Sequence, residues 1–419
     1  MRIDQLTIQN FRGFELGEFE FNPHFNLVVG DNATGKTSLL DALSIGVGRW
    51  FMGVQGYEEA PPILTDQVRV VAHAYQDRWS FDTQNPVRIA IKALVMGNNL
   101  SWELLLASGR GSLFYHPLSI VEAATSAEQA AKAGKPITLP LICTYFTDRL
   151  GDTSSHEEKN ASQQLPSRLD GYRNSIHSRI HESALLNWIR AEVSASQQRG
   201  SETIAYRIVR RAIIACAEGA ESLYYDERYR DLVVSIKSFG QQLFRNLSEG
   251  QRIMLSLVGD LARRATTLNP HLGDDVLQQT PGVVAIDELD LHLHPKWQRH
   301  VIRDLKATFP SLQFIATTHS PQLIGEALPE EIIGLGRQGA EHPAQSFGMD
   351  SNWVLRHVMG ADDRDHEVKA RLEEIENLIN NFHLTAAQAK IDALRSEIGN
   401  HPDLVRYSAR IDRFARKAQ

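Results

Sequence analysis

The sequence predicts an α/β fold: a largely parallel sheet carrying a phosphate-binding loop, with an antiparallel β-lobe, a helical insertion and a C-terminal helical hairpin or bundle. Three patterns predict it. An apolar strand-like run, Phe25-Asn-Leu-Val-Val29, leads into the segment Gly30-Asp-Asn-Ala-Thr-Gly-Lys-Thr37, after which Ser38-Leu-Leu-Asp-Ala-Leu43 reads as the start of a helix. A second apolar run, Val283-Val-Ala-Ile286, ends on Asp287-Glu288, as a buried parallel strand does when it delivers polar residues at its carboxyl end. Val87, Ile89 and Ile91 alternate with Arg88 and Lys92, the pattern of a half-buried strand in an antiparallel layer.

In chain order, residues 1–50 read as strand, strand, Gly-rich loop and helix, and 66–107 as the β-lobe that packs on the sheet. A helical patch containing Gln129-Ala-Ala-Lys132 precedes Leu139-Pro-Leu-Ile-Cys-Thr-Tyr-Phe146, which reads as a core strand. The stretch from Asp152 to Ser162 has little to bury and is expected to be a mobile loop. From about 167 to 220 the pattern is helical, so the chain divides into segments 1–150, 151–240, 241–345 and 346–419. In the last of these, Val368, Leu372, Ile375 and Ile379 recur at helical spacing, as do Ala387, Ile391, Leu394 and Ile398, so two helices pair along apolar seams. Asn381-Phe-His383 joins them, Gly399 ends the second, and Pro402 opens a third. On that third helix Leu404, Ile411 and Phe414 form an apolar face, while Arg406, Arg410, Arg413, Arg416 and Lys417 leave the remainder basic. These helices either pad the head or, because they follow every motif, present an assembly or partner surface.

The chemistry lies in four short motifs. The Gly-rich segment fits G-x-x-x-x-G-K-[ST] in the strand-loop-helix setting that motif needs. Gly30 and Gly35 let the backbone wrap phosphate oxygens, with Asn32 and Ser38 in the same cradle. Lys36 is placed to reach the β- and γ-phosphates of a nucleotide, and Thr37 to hold Mg²⁺. Asp287 suits the Mg²⁺ shell, and Glu288 the base that polarises an attacking water. In Leu247-Ser-Glu-Gly-Gln251, Ser248, Gly250 and Gln251 stand at a helix N-terminus and form a second anion site, although Ser248 is equally suited to a plain N-cap. His319, in Thr317-Thr-His-Ser320, ends a strand and precedes Pro321, which places it on a loop at the sheet edge, where it can hydrogen-bond a γ-phosphate.

In this order the four motifs resemble an ABC-type P-loop ATPase head. The resemblance implies ATP and Mg²⁺ as ligands, and an ATP sandwiched between two copies, because in that fold family the second anion site does not reach its own chain's nucleotide. The opening Leu6-Thr-Ile-Gln-Asn-Phe-Arg-Gly-Phe14 resembles the RecF/SMC/Rad50 branch. The runs Ile286-Asp-Glu-Leu-Asp-Leu-His-Leu-His-Pro295, Trp297-Gln298 and Phe314-Ile-Ala-Thr-Thr-His-Ser-Pro321 resemble ATPases of bacterial anti-phage defence operons, most of all the PtuA type of Septu and retron-associated systems. That resemblance implies a homodimer through its heads, with higher assembly open, and a nuclease partner, most often of the HNH type. It makes Arg12 a contact to nucleotide or to the lobe, and Asp290 the residue coupling the two heads. The chain departs from the pattern in one respect: Gln67 precedes a strand rather than following one, so no Q-loop glutamine is assigned.

Composition bounds these readings. The chain has 419 residues, which favours a head with accessory lobes over a single core. A net charge of −7 argues against a surface coated for nucleic acid. Arg207, Arg210 and Arg211 still share one helical face, a candidate contact for DNA, RNA or an acidic partner, or simply a solvated face. Cys143 and Cys216 lie in apolar contexts, as buried thiols of a reducing compartment do, and no apolar run approaches a membrane helix, so a cytoplasmic protein is expected. His292 and His294 flank one leucine on one side of an extended segment, and with no third ligand a non-metal role is expected. Asp362, Asp363 and Asp365 lie where helix-start charges belong. The function expected is an ATPase subunit of a defence complex that regulates a nuclease without being one. The alternative is a RecF-like maintenance ATPase acting on DNA directly; a transporter ATPase fits the opening motif less well.

Overall fold

A computed structural model describes the chain apart from residues 55, 59, 77, 108–112, 117, 148–165, 177, 179–181, 238, 337–338, 363 and 418–419. The expected loop from Asp152 to Ser162, and Asp363, lie outside the described residues. The chain forms two compact units, Met1–Ser351 and Asn352–Gln419.

The first unit is built on a six-stranded sheet and a five-stranded antiparallel sheet. Its strands are β1 (Arg2–Phe11), β2 (Phe14–Glu20), β3 (Phe25–Gly30), β4 (Val70–Tyr75), β5 (Arg78–Thr83), β6 (Val87–Val95), β7 (Asn98–Leu106), β8 (Leu113–His116), β9 (Leu141–Tyr145), β10 (Ala220–Asp226), β11 (Asp231–Ile236), β12 (Gly240–Leu243), β13 (Gly282–Ile286), β14 (Leu312–Thr317), β15 (Ile332–Gly336) and β16 (Gly339–Glu341). The six-stranded sheet runs β16-β15-β3-β14-β13-β9, parallel except for β16. Strands β9, β13 and β14 are buried along their whole length, so both faces are covered and the apolar runs need no alternation. Because β3, β13 and β14 are parallel, the segments that follow Gly30, Ile286 and Thr317 leave the sheet at one edge.

The β-lobe is the sheet β2-β1-β6-β7-β8. Val87, Ile89 and Ile91 of β6 are buried while Lys92 is exposed, as alternation predicts. Residues 1–50 contain three strands rather than two, because β1 and β2 form a tight hairpin ahead of β3. The lobe is tied to the central sheet by Gln313, which accepts from the Ile3 amide at 2.7 Å and donates to the Ile3 carbonyl at 2.8 Å. Helix α1 (Lys36–Val47) lies against the lobe: a Cβ on Gly46 would fall 2.2 Å from Ile91 Cδ1, and Trp102 Nε1 donates to the Gly46 carbonyl.

The longer helices of the unit besides α1 are α2 (Leu118–Lys132), α3 (Glu182–Arg199), α4 (Ile204–Cys216) and α5 (Glu249–Leu268). The end of the segment expected to be a helical insertion is instead a three-stranded antiparallel meander, β10-β11-β12. Its turn at 227–230 is charged and its central strand buried, which hides the signal from a helical period. Arg207 pairs with Asp274 at 2.7 Å and Arg210 with Glu202 at 3.0 Å, so two of the three arginines on that face are neutralised. Both cysteines are free and buried, and burial pushes both thiols above their usual range.

The second unit is helical: α6 (His366–Asn380), α7 (Leu384–Ile398) and α8 (Pro402–Lys417). Leu372, Ile375 and Ile379 pack with Ala387, Ile391 and Leu394 and with Leu404, Tyr407 and Ile411. Ile398 falls outside this seam and is 36% exposed, because it is the last residue before the Gly399 cap. Asp365 caps α6 through the amides of Glu367 and Val368, and Asp362 pairs with Lys369, so both spend their charge on the helix start.

Candidate nucleotide-binding site

The loop from Gly30 to Thr37 is shaped by left-handed backbone at Ala33 (φ 67°) and Gly35 (φ 101°), which turns successive amides into one concavity ahead of α1. A Cβ at Gly30 would lie 2.7 Å from Thr34 Oγ1 and 2.8 Å from the Leu335 carbonyl. A Cβ at Gly35 would lie 2.7 Å from the ring of Phe14, a residue not singled out in the sequence, which floors the loop. Lys36 Nζ donates to the carbonyls of Gly30 (2.7 Å) and Asp31 (2.9 Å), holding the ammonium over the loop. Burial lowers its pKa, opposed by the charges of Asp287, Asp31, Glu288 and Asp290. Asn32 is exposed on the loop and Ser38 half-buried in the first turn of α1.

The second half of the site comes from the ends of β13 and β14. Thr37 Oγ1 donates to Asp287 Oδ2 at 3.0 Å, and Thr317 Oγ1 donates to Asp287 Oδ1 at 2.6 Å. The same Thr317 oxygen accepts from the Glu288 amide at 2.7 Å. Glu288 has φ 48°, so the chain turns at once after the strand and presents the two carboxylates differently. Asp287, 2% exposed, is fixed beside Thr37, while Glu288 is only half-buried. A carboxylate and a hydroxyl are hard oxygen donors that suit Mg²⁺, and the Gly-rich concavity suits phosphate.

Asp290 accepts from Thr318 Oγ1 (2.6 Å) and from the His319 amide (3.4 Å), so it orders the loop after β14. That strand lies in the interior of the sheet, between β3 and β13, so the His319 loop is at the carboxyl end of the strands and not at a lateral edge. Residues 288–293 form consecutive turns through Leu291 N to Glu288 O and Leu293 N to Asp290 O, and His292 has φ 63°. The segment expected to be extended, with His292 and His294 on one side, is therefore coiled. His294 spends Nδ1 as an acceptor for the Lys296 amide, at the N-cap of the turn Pro295–Gln298. Arg12, at φ 49°, pairs with Asp41 of α1 at 2.5 Å, and Gln67 sits in a short turn before β4 with its carbonyl accepting from the Arg12 amide. Asp41 is pushed up to about 6 by burial, with Arg12 opposing and Asp287 adding to the rise.

Ser248 caps α5 in a capping box: its hydroxyl accepts from the Gln251 amide and Gln251 Oε1 accepts from the Ser248 amide. A Cβ at Gly250 would fall 2.0 Å from the His292 carbonyl, so α5 leans directly on the turn that follows Glu288. Further along, Asp260 of α5 accepts from Tyr145 (2.7 Å), Arg263 (2.6 Å) and Arg264 (2.7 Å). Burial disfavours its charge, but Arg264 and Arg263 hold the carboxyl well below the usual range. The Tyr145 carbonyl accepts from the Asp287 amide, so this network joins α5 to the acidic pair. Ser248, Gly250 and Gln251 open onto a groove of about 800 Å³ whose walls include Ile236, Phe239 and Trp297 and no residue of the 30–38 loop.

Fold and site together define a P-loop nucleotide-binding head. Residues 144–325 match the family described as "AAA domain, putative AbiEii toxin, Type IV TA system", and residues 5–198 match a family described as "AAA domain". The "Retron Ec83 probable ATPase" of Escherichia coli is 24% identical over 90% of this chain and 80% of that protein. The Septu protein PtuA of Bacillus thuringiensis is 37% identical over 32% of this chain and 36% of that protein. The SMC head domain from Thermotoga maritima aligns with a TM-score of 0.45 and 14% identity, over 80% of this chain and 94% of that one. The chain is thus similar to the ATPases of retron and Septu defence systems and, at 38% identity over 20% of its length and 24% of that protein, to the RecF protein of Pasteurella multocida.

Proposed function

We propose that this chain binds and hydrolyses Mg²⁺-ATP between two paired copies, and that pairing regulates a separate nuclease, of the HNH type, in a cytoplasmic anti-phage defence complex. The observation that carries the pairing is the separation of the two anion sites. Ser248 and Gly250 face a groove with no wall from the Gly30–Ser38 loop, which supports a site completed by a second chain. Bound Mg²⁺ would neutralise charge on the β- and γ-phosphates. Thr37 and Asp287 would hold that ion, Lys36 and the loop amides would bind the phosphates, and Glu288 would take the proton of the attacking water. His319 and Asp290 form the loop that meets the γ-phosphate side, and Arg12 braces the lobe against α1 rather than the nucleotide.

The nuclease half of the proposal rests on the resemblance to PtuA-type ATPases and on the helical unit from Asn352, which serves as the partner surface. In this reading the chain itself cuts neither DNA nor RNA. Direct action on DNA in the RecF manner is disfavoured by the pairing of Arg207 and Arg210 with acidic residues. The test is complementation. Ser248→Arg keeps its own loop but blocks the site offered to a partner, and Lys36→Ala does the reverse. Each alone should be inactive, and their mixture should regain ATPase activity from one composite site. A mixture that stays inactive while both variants fold and associate overturns the two-chain site.

A further inference from the structure

Strands β4 and β5 form a two-stranded sheet of their own, and its amphipathicity is inverted. Directly paired residues share a face. The register Ala72 to Phe81 and Ala74 to Trp79, with Val70 at the end, makes one face apolar, whereas His73, Ser80, Val71 and Asp82 make the other largely polar. The half-buried residues, Val71 and Ser80, are on the polar face. The apolar face is exposed along its length: Val70 is 51% exposed, Trp79 66% and Phe81 68%. Apolar patches of this kind on a hairpin that has no further strand to lean on mark a contact surface.

The hairpin grows from the rim of the nucleotide loop. Val68 bridges Phe11, Arg69 N donates to the Asn10 carbonyl, and the Arg12 amide donates to Gln67 just before it. The same β1–β2 turn carries Arg12, paired to α1, and Phe14, which floors Gly35. A second exposed aromatic feature of the same unit is the groove beside Ser248, with Phe239 73% exposed and Ile236, Leu247 and Trp297 in its walls. One feature is anchored to the β1–β2 hairpin, whose Phe14 lies against Gly35, and the other adjoins the 248–251 segment, and the proposed head pairing brings those two regions together from different chains.

We infer that the β4–β5 hairpin of one copy seats its apolar face, centred on Trp79 and Phe81, in the Phe239–Trp297 groove of a second copy. The inference rests on the proposed head pairing and names a contact that strengthens it. Two-thirds of two aromatic side chains amounts to about 250 Å², roughly a third of the ~800 Å² per partner that a stable interface needs. The hairpin therefore cannot hold two heads together alone, and it acts only when nucleotide closes the remainder of the interface. A groove of about 800 Å³ lies within the volume range of pockets that enclose aromatic ligands.

The experiment uses the full chain carrying Glu288→Gln, which retains ATP, and measures its monomer–dimer equilibrium by sedimentation with Mg²⁺-ATP. Adding Trp79→Ser and Phe81→Ser should raise the dimer dissociation constant about tenfold or more. Binding of a fluorescent ATP analogue at concentrations where the chain is monomeric should stay the same. In a second arm, a tagged Phe81→Cys chain is mixed with an untagged Phe239→Cys chain and treated with a short bismaleimide; Cys143 and Cys216 are buried and silent. An ATP-dependent crosslink between the two chains is expected. If the parent chain does not dimerise with ATP, head pairing fails and this contact with it. If the parent dimerises but the serine variant dimerises equally well, or no crosslink forms, the hairpin contact alone is overturned, and the apolar face belongs to a different partner.

Discussion

Thr317→Val is the substitution that isolates how the acidic pair is held. Valine keeps the branched shape and removes only the hydroxyl, which donates to Asp287 Oδ1 at 2.6 Å and accepts from the Glu288 amide at 2.7 Å. The residue is 0% exposed, so no water replaces the lost partner at its own position. A hydrogen bond to a charged group is worth about 1.5–3 kcal/mol and a neutral one about 0.5–1.5, so the loss is about 2–4.5 kcal/mol of stability in the first unit. The kinetic effect follows from position: displacing a reacting group by about 1 Å costs on the order of 10²-fold. Freed at the amide, Glu288 is no longer obliged to keep φ 48°, and turnover should fall by about that factor while nucleotide affinity changes little. The assays are denaturant unfolding and steady-state ATPase measurement, with Thr317→Ser as the control that restores the hydroxyl. A valine variant with unchanged turnover and stability within about 0.5 kcal/mol of the parent would show that Thr317 does not position the pair.

Lys36→Ala should lose nucleotide affinity, whereas Glu288→Gln should retain ATP and hydrolyse it ~10²–10⁴-fold more slowly; equilibrium binding and single-turnover hydrolysis separate the two. Gly35→Ala combines a strained φ of 101° with a Cβ 2.7 Å from the Phe14 ring, so ATP binding measured by titration should weaken at least as much as for Gly30→Ala, which has only the steric conflict. Asp41 has a folded pKa raised to about 6, so its contribution to stability is fully present below pH ~4 and is lost as pH rises through 6. Relative to the parent, Asp41→Asn should gain stability between pH 4.5 and 7.5, by up to about 3 kcal/mol from a shift that already includes the opposing Arg12 pair; a pH-independent difference in unfolding would remove that assignment.

The strands that carry the site were readable because burial on both faces forces continuous apolar sequence. Leu27 to Val29, Val283 to Ile286 and Phe314 to Ala316 each announce themselves that way. The helices of the second unit were readable from their apolar spacing, apart from Ile398, where the step continues for one residue beyond the packed seam. The meander β10–β12 was not, since only its central strand is buried and its outer strands mix Glu221, Tyr224 and Gln241 with no clean alternation. The β4–β5 hairpin alternates well, but alternation reports which residues share a face and not which face the protein covers.

For the site, residue type declared the groups proposed to meet phosphate and metal, because that chemistry is specific to lysine, threonine and carboxylates beside glycine. The residues that orient them left a fainter trace. Phe14 is legible only once Gly35 is known to need a flat neighbour, and Thr317 and Thr318 read as the end of a strand until their hydroxyls are seen on Asp287 and Asp290. Alternation of His292 and His294 suggested extended chain because nothing in two non-glycine residues forecasts left-handed backbone at Glu288 and His292. Those two positions are what fold the 288–293 segment into turns, and the His292 carbonyl so placed leaves room for nothing larger than the α-hydrogen of Gly250. The glycine of the 247–251 motif is therefore required by its own chain, where it lets α5 rest on the 288–293 turn, as well as by any phosphate that a second copy would offer. A Gly250→Ala variant that loses activity is accordingly weak support for a two-chain site, whereas Ser248→Arg, which leaves that contact intact, is a sound test of it.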